Sequence, residues 1–281
     1  MMRRCVIVTS VLNGAQYLEA TLKSVNDQTY DNWVHYVVDG GSTDATLEIV
    51  AKSVVSEPRR KLVPGPDRGM YDGIFKGFDR AQAEGGTVDD IYFWLNADDL
   101  LAPWALATMV KYFDMLNADW LTAFPAQWDA QGRLASVYPI AWYPRSLIRA
   151  GLFNGSALGW IQQESTFFTR RLLDLVPAKR RDEIRAAKLA GDFLLWGEFA
   201  RHRPLLTVPT AVGGFRNHGG NASVQKKDTY YRELRQGGAL ILPTRLGRLA
   251  RGLYWLIAAF VTARRARRFA IAADIQGRQA Q

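Results

Sequence analysis

Five apolar residues, Ile91-Tyr92-Phe93-Trp94-Leu95, run straight into Asn96-Ala97-Asp98-Asp99. A continuous apolar run of that length reads as a strand buried on both faces of a parallel sheet. Ligands of open α/β sheets sit beyond the carboxyl ends of such strands. Two adjacent carboxylates placed there repel each other and lose hydration, so a cation should compensate them. A divalent metal bridging to a phosphate is the economical answer, because Mg2+ takes one or two carboxylates plus substrate phosphate oxygens. Two other segments have the same form. The apolar stretch 33–38 ends at Asp39, before Gly40-Gly41-Ser42-Thr43-Asp44, and Val6-Ile7-Val8 leads into the loop 9–14. Asp39 can accept a hydrogen bond from a base N–H such as uracil N3–H, and the two glycines let the main chain approach a ligand closely. An ordinary turn and helix cap would use the same residues. The recurrence of polar loops at three strand ends is what points to one cleft.

The surrounding elements suit that role. A helix is expected over 15–27, with Leu18, Leu22 and Val25 on one face, and others over 45–55 and 70–84. A short strand at 61–63 is closed by Pro64-Gly65-Pro66. Strands alternating with helices predict a doubly wound, Rossmann-like α/β fold with a mostly parallel sheet. Beyond residue 100, helices are expected at 103–116 and 193–201. The stretch 119–170 has no clean period, and 212–223 reads as a glycine-rich loop. The chain divides into a catalytic body, 1–242, and a tail, 243–281. Within the body, 1–110 holds the three strand-end loops and 111–242 is the less regular part.

The tail holds most of the basicity. Of a net charge of +9, about +7 lies in 243–281, where eight arginines face a single acid, Asp274. Between the arginines, 253–263 is apolar apart from Thr262, with Tyr254 and Trp255 near its start. Eleven residues are too few to span a bilayer, which takes about 20. A basic amphipathic helix lying in the membrane interface fits better than a solvated terminal helix. Nucleic-acid binding is disfavoured, because the arginines are not interleaved with a base-reading motif. Cys5 is the single cysteine, so no intrachain disulfide exists, and it reads as a core residue. The N-terminal apolar run 5–8 is too short for a signal-peptide core, so the expectation is a cytoplasmic protein at the inner face of the membrane.

Taken together, 6–18 (VIVTSVLNGAQYL), 22–28 (LKSVNDQ), 37–46 (VVDGGSTDAT), 67–77 (DRGMYDGIFKG) and 94–99 (WLNADD) resemble the family-2 glycosyltransferases, inverting enzymes with the GT-A fold. Within that family the chain looks like bacterial members that build surface polysaccharide. The resemblance implies that Thr9, Val11 and Asn13 line the nucleotide and that Asp39 reads uracil. Asp98 matches the last carboxylate of the Asp-x-Asp motif, which holds Mn2+ or Mg2+. Asn96 takes the place of that motif's first acid, with Ala97 between them. Asp99 would share the metal site or cap the next helix. Arg68 and Asp72 fall in a loop that approaches the donor, where a guanidinium suits a phosphate.

An inverting transfer also needs a carboxylate to take the acceptor's proton. Ala190-Gly191-Asp192 resembles the family's acid-bearing acceptor motif, with Gly191 in place of Glu and Asp192 as the base; the same position suits an N-cap. Gln163 and Glu164 are hydroxyl-binding candidates for the acceptor, and an ordinary edge strand would look similar. Phe215-Arg216-Asn217-His218 resembles a late family segment in which His218 ligates the metal or touches the diphosphate and Arg216 binds phosphate. His35 and His202 receive no role.

The resulting expectation is a metal-dependent transfer from a nucleotide-diphosphate sugar, a UDP-sugar, to a hydroxyl of a lipid-linked or polysaccharide acceptor. A sugar-nucleotide nucleotidyltransferase would want a glycine-rich phosphate loop near the N-terminus, which 11–14 lacks. A dehydrogenase would want Gly-x-Gly-x-x-Gly after the first strand. A non-catalytic, membrane-associated nucleotide-sugar binding module stays open, because Asn96 and Gly191 both depart from the usual acids.

Overall fold

A computed structural model of the chain describes residues 2–139, 142–221 and 225–279, the side chains of 265–279 excepted. In chain order the elements are β1 (Cys5–Val11), α1 (Ala15–Asn26), β2 (Trp33–Asp39), α2 (Thr46–Ser56), β3 (Arg60–Val63), α3 (Met70–Ala83), β4 (Ile91–Trp94), β5 (Leu100–Leu101) and α4 (Ala105–Leu116). They continue as β6 (Trp120–Ala123), β7 (Ala126–Trp128), β8 (Leu134–Val137), α5 (Arg145–Arg149), a 3₁₀ turn (Gln163–Ser165), β9 (Thr166–Thr169), α6 (Arg170–Asp174), α7 (Ala178–Ala186) and α8 (Gly191–His202). The last are β10 (Leu206–Val208), β11 (Gly213–Arg216), α9 (Lys227–Gln236) and α10 (Thr244–Gln279).

Seven strands form one sheet in the order β10-β6-β9-β4-β1-β2-β3. All neighbours are parallel except β9, which runs antiparallel between β4 and β6. Alternation along β1 explains the layers. Val6 and Val8 face a core shared with α3 and α8, while Cys5 and Ile7 face α4, and Val11 faces α1 and α2. Each face of the sheet must be covered, so helices lie on both sides. This is the doubly wound α/β architecture expected. A second, four-stranded sheet, β5-β11-β7-β8, lies beyond the end of β4.

Three expectations are corrected. The stretch without a clean period contains β6, a wholly buried strand of the main sheet, together with β7, β8 and β9. Runs of three or four residues are too short to display a period. The stretch 212–223 is not all loop, since Gly213–Arg216 pairs with β5 and β7. Gln163 and Glu164 do not sit on an edge strand; they form a 3₁₀ turn entering β9 inside the sheet.

The tail is helical from Thr244 and docks by one face. Tyr254 stacks on Trp142 with ring centroids 5.6 Å apart, and Arg251 Nη2 donates to the carbonyl of Gly155 at 2.7 Å. On another face Leu246, Leu249, Leu253, Leu256, Ile257 and Phe260 are exposed, Leu256 by 73%. Arg265, Arg267, Arg268 and Arg278, half of the tail's arginines, lie outside the described side chains. Among the described residues no helix is long and apolar enough to cross a membrane.

Candidate active site

The loops after β1 and β2 are laced together. Asn13 sits at φ 53°, its N–H donates to Ser42 Oγ at 2.8 Å, and its Oδ1 accepts the Thr43 N–H at 2.8 Å. Asp39 Oδ2 accepts the N–H groups of Gly41 and Ser42 at 3.0 Å each, which sets the turn. Asp39 Oδ1 is buried and has no hydrogen-bond partner in the protein. A buried acceptor left unmade is costly, and a donor from a ligand bound at this strand end would satisfy it.

The side chains of Thr9 and Val11 are buried, so these residues could meet a nucleotide only through their main chain. Odd-numbered β1 residues turn to the face of the sheet covered by α1, α2 and α4. Val11 packs against Leu18 and Val37. Thr9 ends a buried relay: Arg60 Nε donates to His35 Nδ1 at 3.2 Å, leaving His35 Nε2–H for Thr9 Oγ1 at 2.9 Å. Thr9 then donates to the Leu95 carbonyl at 2.8 Å. Burial and the Arg60 charge hold the His35 pKa well below its ordinary value, consistent with the neutral ring this relay needs. The contribution of Thr9 is to pin Leu95, the residue before Asn96.

Adjacent acids at the end of β4 have opposite environments. Asp98 points out, with Oδ2 3.0 Å from His218 Nε2 and 3.3 Å from Asn221 Nδ2. Asp99 points in and is fully buried; its Oδ1 accepts the Arg216 N–H at 2.7 Å and its Oδ2 accepts from Asn96 Nδ2 at 2.9 Å. With both oxygens engaged inward, Asp99 is withdrawn as a metal ligand. Its partners are Asn96 and Glu164. The Asn96 amide lies 3.2 Å from Gln163 Oε1 and 3.3 Å from Glu164 Oε1. Burial first, and then mutual repulsion, raises Asp99 well above the usual carboxylate range, and burial pushes Glu164 up to about 7. An aspartate at position 96 would add a third carboxylate to this nest, whereas asparagine donates into it. That is a physical reason for the departure from the family motif. Gln163 and Glu164 are accordingly buried supports of this loop rather than open hydroxyl-binding groups.

Among the described residues no set of three or more His, Cys, Asp or Glu side chains surrounds one point that could hold a metal. The converging pair, Asp98 and His218, fits Mn2+ or Mg2+ that completes its shell with phosphate oxygens and water. The His218 ring packs against Tyr17 at 4.3 Å. The Arg216 guanidinium lies 5.1 Å from the Tyr17 ring; the residue is 3% exposed and has no acceptor for Nε or Nη2. Burial lowers its pKa, and the charges of Asp99 and Asp98 oppose that shift.

The other two donor-loop candidates engage each other. Arg68 Nη2 donates to Asp72 Oδ1 at 2.9 Å, and the Arg68 N–H donates to Asp72 Oδ2 at 3.1 Å. Asp72 is therefore a buried first-turn carboxylate of α3 that holds Arg68 and the loop before the helix in place. Arg68 remains largely exposed, with 73% of its side chain accessible.

Asp192 arrives from the other half of the chain. Trp196, one turn further along α8, stacks on Trp94 of β4 at 5.5 Å and so sets the first turn of α8 near the end of β4. Asp192 is not an N-cap: Ala190 occupies that position and Asp192 lies in the first turn. Its Oδ1 accepts from Tyr71 Oη at 3.2 Å and from the Phe193 N–H at 2.8 Å. Burial pushes its pKa up to about 6 despite these bonds. Glu164 feels the charges of both Asp192 and Asp98 and so links the two parts of the site. A Cβ at Gly191 would lie about 2.6 Å from the Tyr71 ring. Glycine is required there because Tyr71 needs that space to reach Asp192. Tyr17 and Tyr71 lie inside the matching motifs, but a tyrosine in a helix carries no sequence signal that tells packing from function.

Glycosyl transferase family 2 matches the chain over residues 6–150. An uncharacterized glycosyltransferase of Haemophilus influenzae is 23% identical over 240 residues, covering 79% of this chain and 69% of that protein. A PGL/p-HBAD biosynthesis glycosyltransferase of Mycobacterium tuberculosis is 36% identical over 96 residues, 34% of this chain and 35% of that protein. Among solved structures, Staphylococcus aureus TarS 1–349 in complex with UDP-GlcNAc has a TM-score of 0.60 at 16% identity, covering 89% of this chain and 71% of its own. The mannosyltransferase PcManGT of Pyrobaculum calidifontis, in complex with GDP-Man and Mn2+, has a TM-score of 0.57 at 20% identity, covering 97% and 76%. At these identities the structural likeness carries the GT-A fold.

Proposed function

The chain belongs to glycosyl transferase family 2, and on that premise we propose that it moves a sugar from a UDP-sugar to a hydroxyl of a lipid-linked or polysaccharide acceptor, with inversion at C1, in bacterial surface-glycan synthesis. The observation that carries the donor class is the pair of unmet groups at the strand ends. Asp39 Oδ1 lacks a donor, and Arg216 Nε and Nη2 lack an acceptor. A nucleotide base N–H and a diphosphate supply what each lacks. Asp98 and His218 would hold Mn2+ or Mg2+, which neutralises charge on the leaving diphosphate.

The acceptor hydroxyl gives its proton to the Asp192 carboxylate as its oxygen bonds to C1. The C1–O bond to the diphosphate breaks with its electron pair, and Arg216 accommodates the charge that develops. A carboxyl raised to about 6 is still mostly ionised at pH 7 and is a stronger base than an ordinary aspartate. Gly191 and Asn96 have structural reasons of their own, which removes the main argument for a decayed, non-catalytic module.

The exposed apolar face of α10 and the arginines of the tail support contact with an anionic membrane surface on the cytoplasmic side, where lipid-linked acceptors reside.

A thermal-shift panel of UDP, GDP, TDP and CMP, each with and without Mn2+, tests the donor site. A ligand at 100 times its Kd adds about 2.7 kcal/mol of stability. Stabilisation by UDP that requires metal and is lost in Asp98→Asn is expected. A folded protein that responds to none of the four nucleotides would refute the donor assignment.

A further inference from the structure

The turn that leads into α8 is held by a residue outside every matched motif. Glu233, on α9, accepts three consecutive main-chain N–H groups: Lys188 on Oε1 at 2.8 Å, and Leu189 and Ala190 on Oε2 at 2.9 Å each. Ala190 is the N-cap of α8 and makes no side-chain capping bond of its own. The carboxylate of Glu233 therefore does from a distance what a local cap would do, at the end of α8 where negative charge is favoured. From the opposite side, Tyr71 Oη lies 3.3 Å from the Leu189 carbonyl and 3.2 Å from Asp192 Oδ1. Lys188 Nζ also donates to the Arg68 carbonyl at 2.6 Å. Residues 188–192 are thus gripped between α3 and α9.

We propose that Glu233 is a positioning residue for catalysis: its three main-chain bonds fix the turn that aims Asp192 at the acceptor hydroxyl. The proposal rests on the reading of Asp192 as the base. A base must be held to within a fraction of an ångström of its productive place, and a displacement of about 1 Å can cost 100-fold in rate. Glu233 has a second, electrostatic effect. The groups facing Asp192 are Tyr71 from α3, Tyr230 and Glu233 from α9, and Glu164 from the 3₁₀ turn; on α8 itself the Phe193 N–H bonds it. Burial is the main cause of the raised Asp192 carboxyl, and the Glu233 charge adds to it.

The test uses the full chain and Glu233→Gln, with Asp192→Asn alongside. Two readouts need no substrate: hydrogen exchange of the 188–190 amides, and titration of the Asp192 carboxyl by 13C NMR. The third is release of UDP from whichever of UDP-glucose, UDP-galactose and UDP-N-acetylglucosamine the wild type hydrolyses with water as acceptor. Glu233→Gln is expected to speed exchange at 188–190 and to move the Asp192 titration to lower pH. It should also cut kcat about 10- to 100-fold with the donor KM within about twofold. If that variant fails to fold, Glu233→Asp, which keeps the charge but withdraws it by one methylene, should lower kcat with the titration unmoved. A folded Glu233→Gln with unchanged exchange, titration and kcat overturns the proposal and leaves the base reading intact. Turnover retained in Asp192→Asn removes the base reading and this proposal with it, even where the exchange result shows that the bonds to Glu233 exist.

Discussion

The donor side and the acceptor side of this site are held by different kinds of contact. On the donor side, Asp39 sets its own turn through Gly41 and Ser42, and Asn13 ties the neighbouring loop to that turn. Every one of those side chains stands at or just beyond a strand end, so forming the main sheet nearly completes the nucleobase end of the proposed donor site; Arg216 and His218, at its diphosphate end, come from β11 and the loop after it. On the acceptor side, Asp192 depends on Tyr71 from a distant helix, on the Trp94–Trp196 stack, and on Glu233 through the main chain of 188–190. The lesson is that the proposed nucleobase contacts come from strand-end loops stiffened locally, whereas placing Asp192, the proposed base, takes side chains brought together by the whole fold. Burial pushes acids upward on both sides of the site, Asp99 and Glu164 under the Asp98 loop and Asp192 on α8, because each sits where several elements meet and exclude water.

The largest effect that tests this contrast is on turnover. Asp98→Asn and Asp192→Asn should each lower transfer by about 1,000-fold or more, by steady-state assay, without loss of the folded circular-dichroism spectrum. They should part company in binding. Asp98→Asn should lose the metal-dependent UDP stabilisation while Asp192→Asn keeps it, and loss in both would mean that the two halves are not separable.

A smaller effect concerns stability against pH. Burial raises Glu164 from 4.5 to about 7, so between those values the native chain binds more protons than the unfolded chain. Stability therefore falls as pH rises through that window. Glu164→Gln keeps an acceptor for Asn96 and removes the titration. Denaturant unfolding from pH 5 to 8 should show a flatter profile and a gain of up to about 3 kcal/mol at pH 8. A profile as steep as that of the wild type would show that Glu164 is not the proton's site.

The smallest effect on chemistry lies furthest from the cleft. Leu249→Asp combined with Leu256→Asp alters only exposed positions of α10. Stability should change by no more than about 0.5 kcal/mol per site, and turnover on a water-soluble acceptor should be unchanged. Flotation with anionic vesicles should drop sharply, and equal flotation would remove the membrane contact.

The sequence by itself determined the doubly wound half of the molecule. Strands β1, β2 and β4 and helices α1 to α4 announce themselves through continuous apolar runs and helical spacing, and the polar loops at their ends mark the cleft. The acid pair at 98 and 99 was legible as a charge problem needing compensation. What the sequence could not say is that one of these acids points out toward His218 and the other into the interior. That was decided by β11 and the 3₁₀ turn, which bring Arg216 and Glu164 under the loop from far along the chain. The side chain of Thr9, expected in the nucleotide loop, is a link in a buried relay, because pairing with β2 turned it toward His35. Gly191 looked like the loss of an acid until Tyr71 was found packed against it. Local pattern records which residues must be buried or must turn, since those demands act over a few positions. Which polar group meets which depends on contacts a hundred residues apart, and only the assembled tertiary structure settles those.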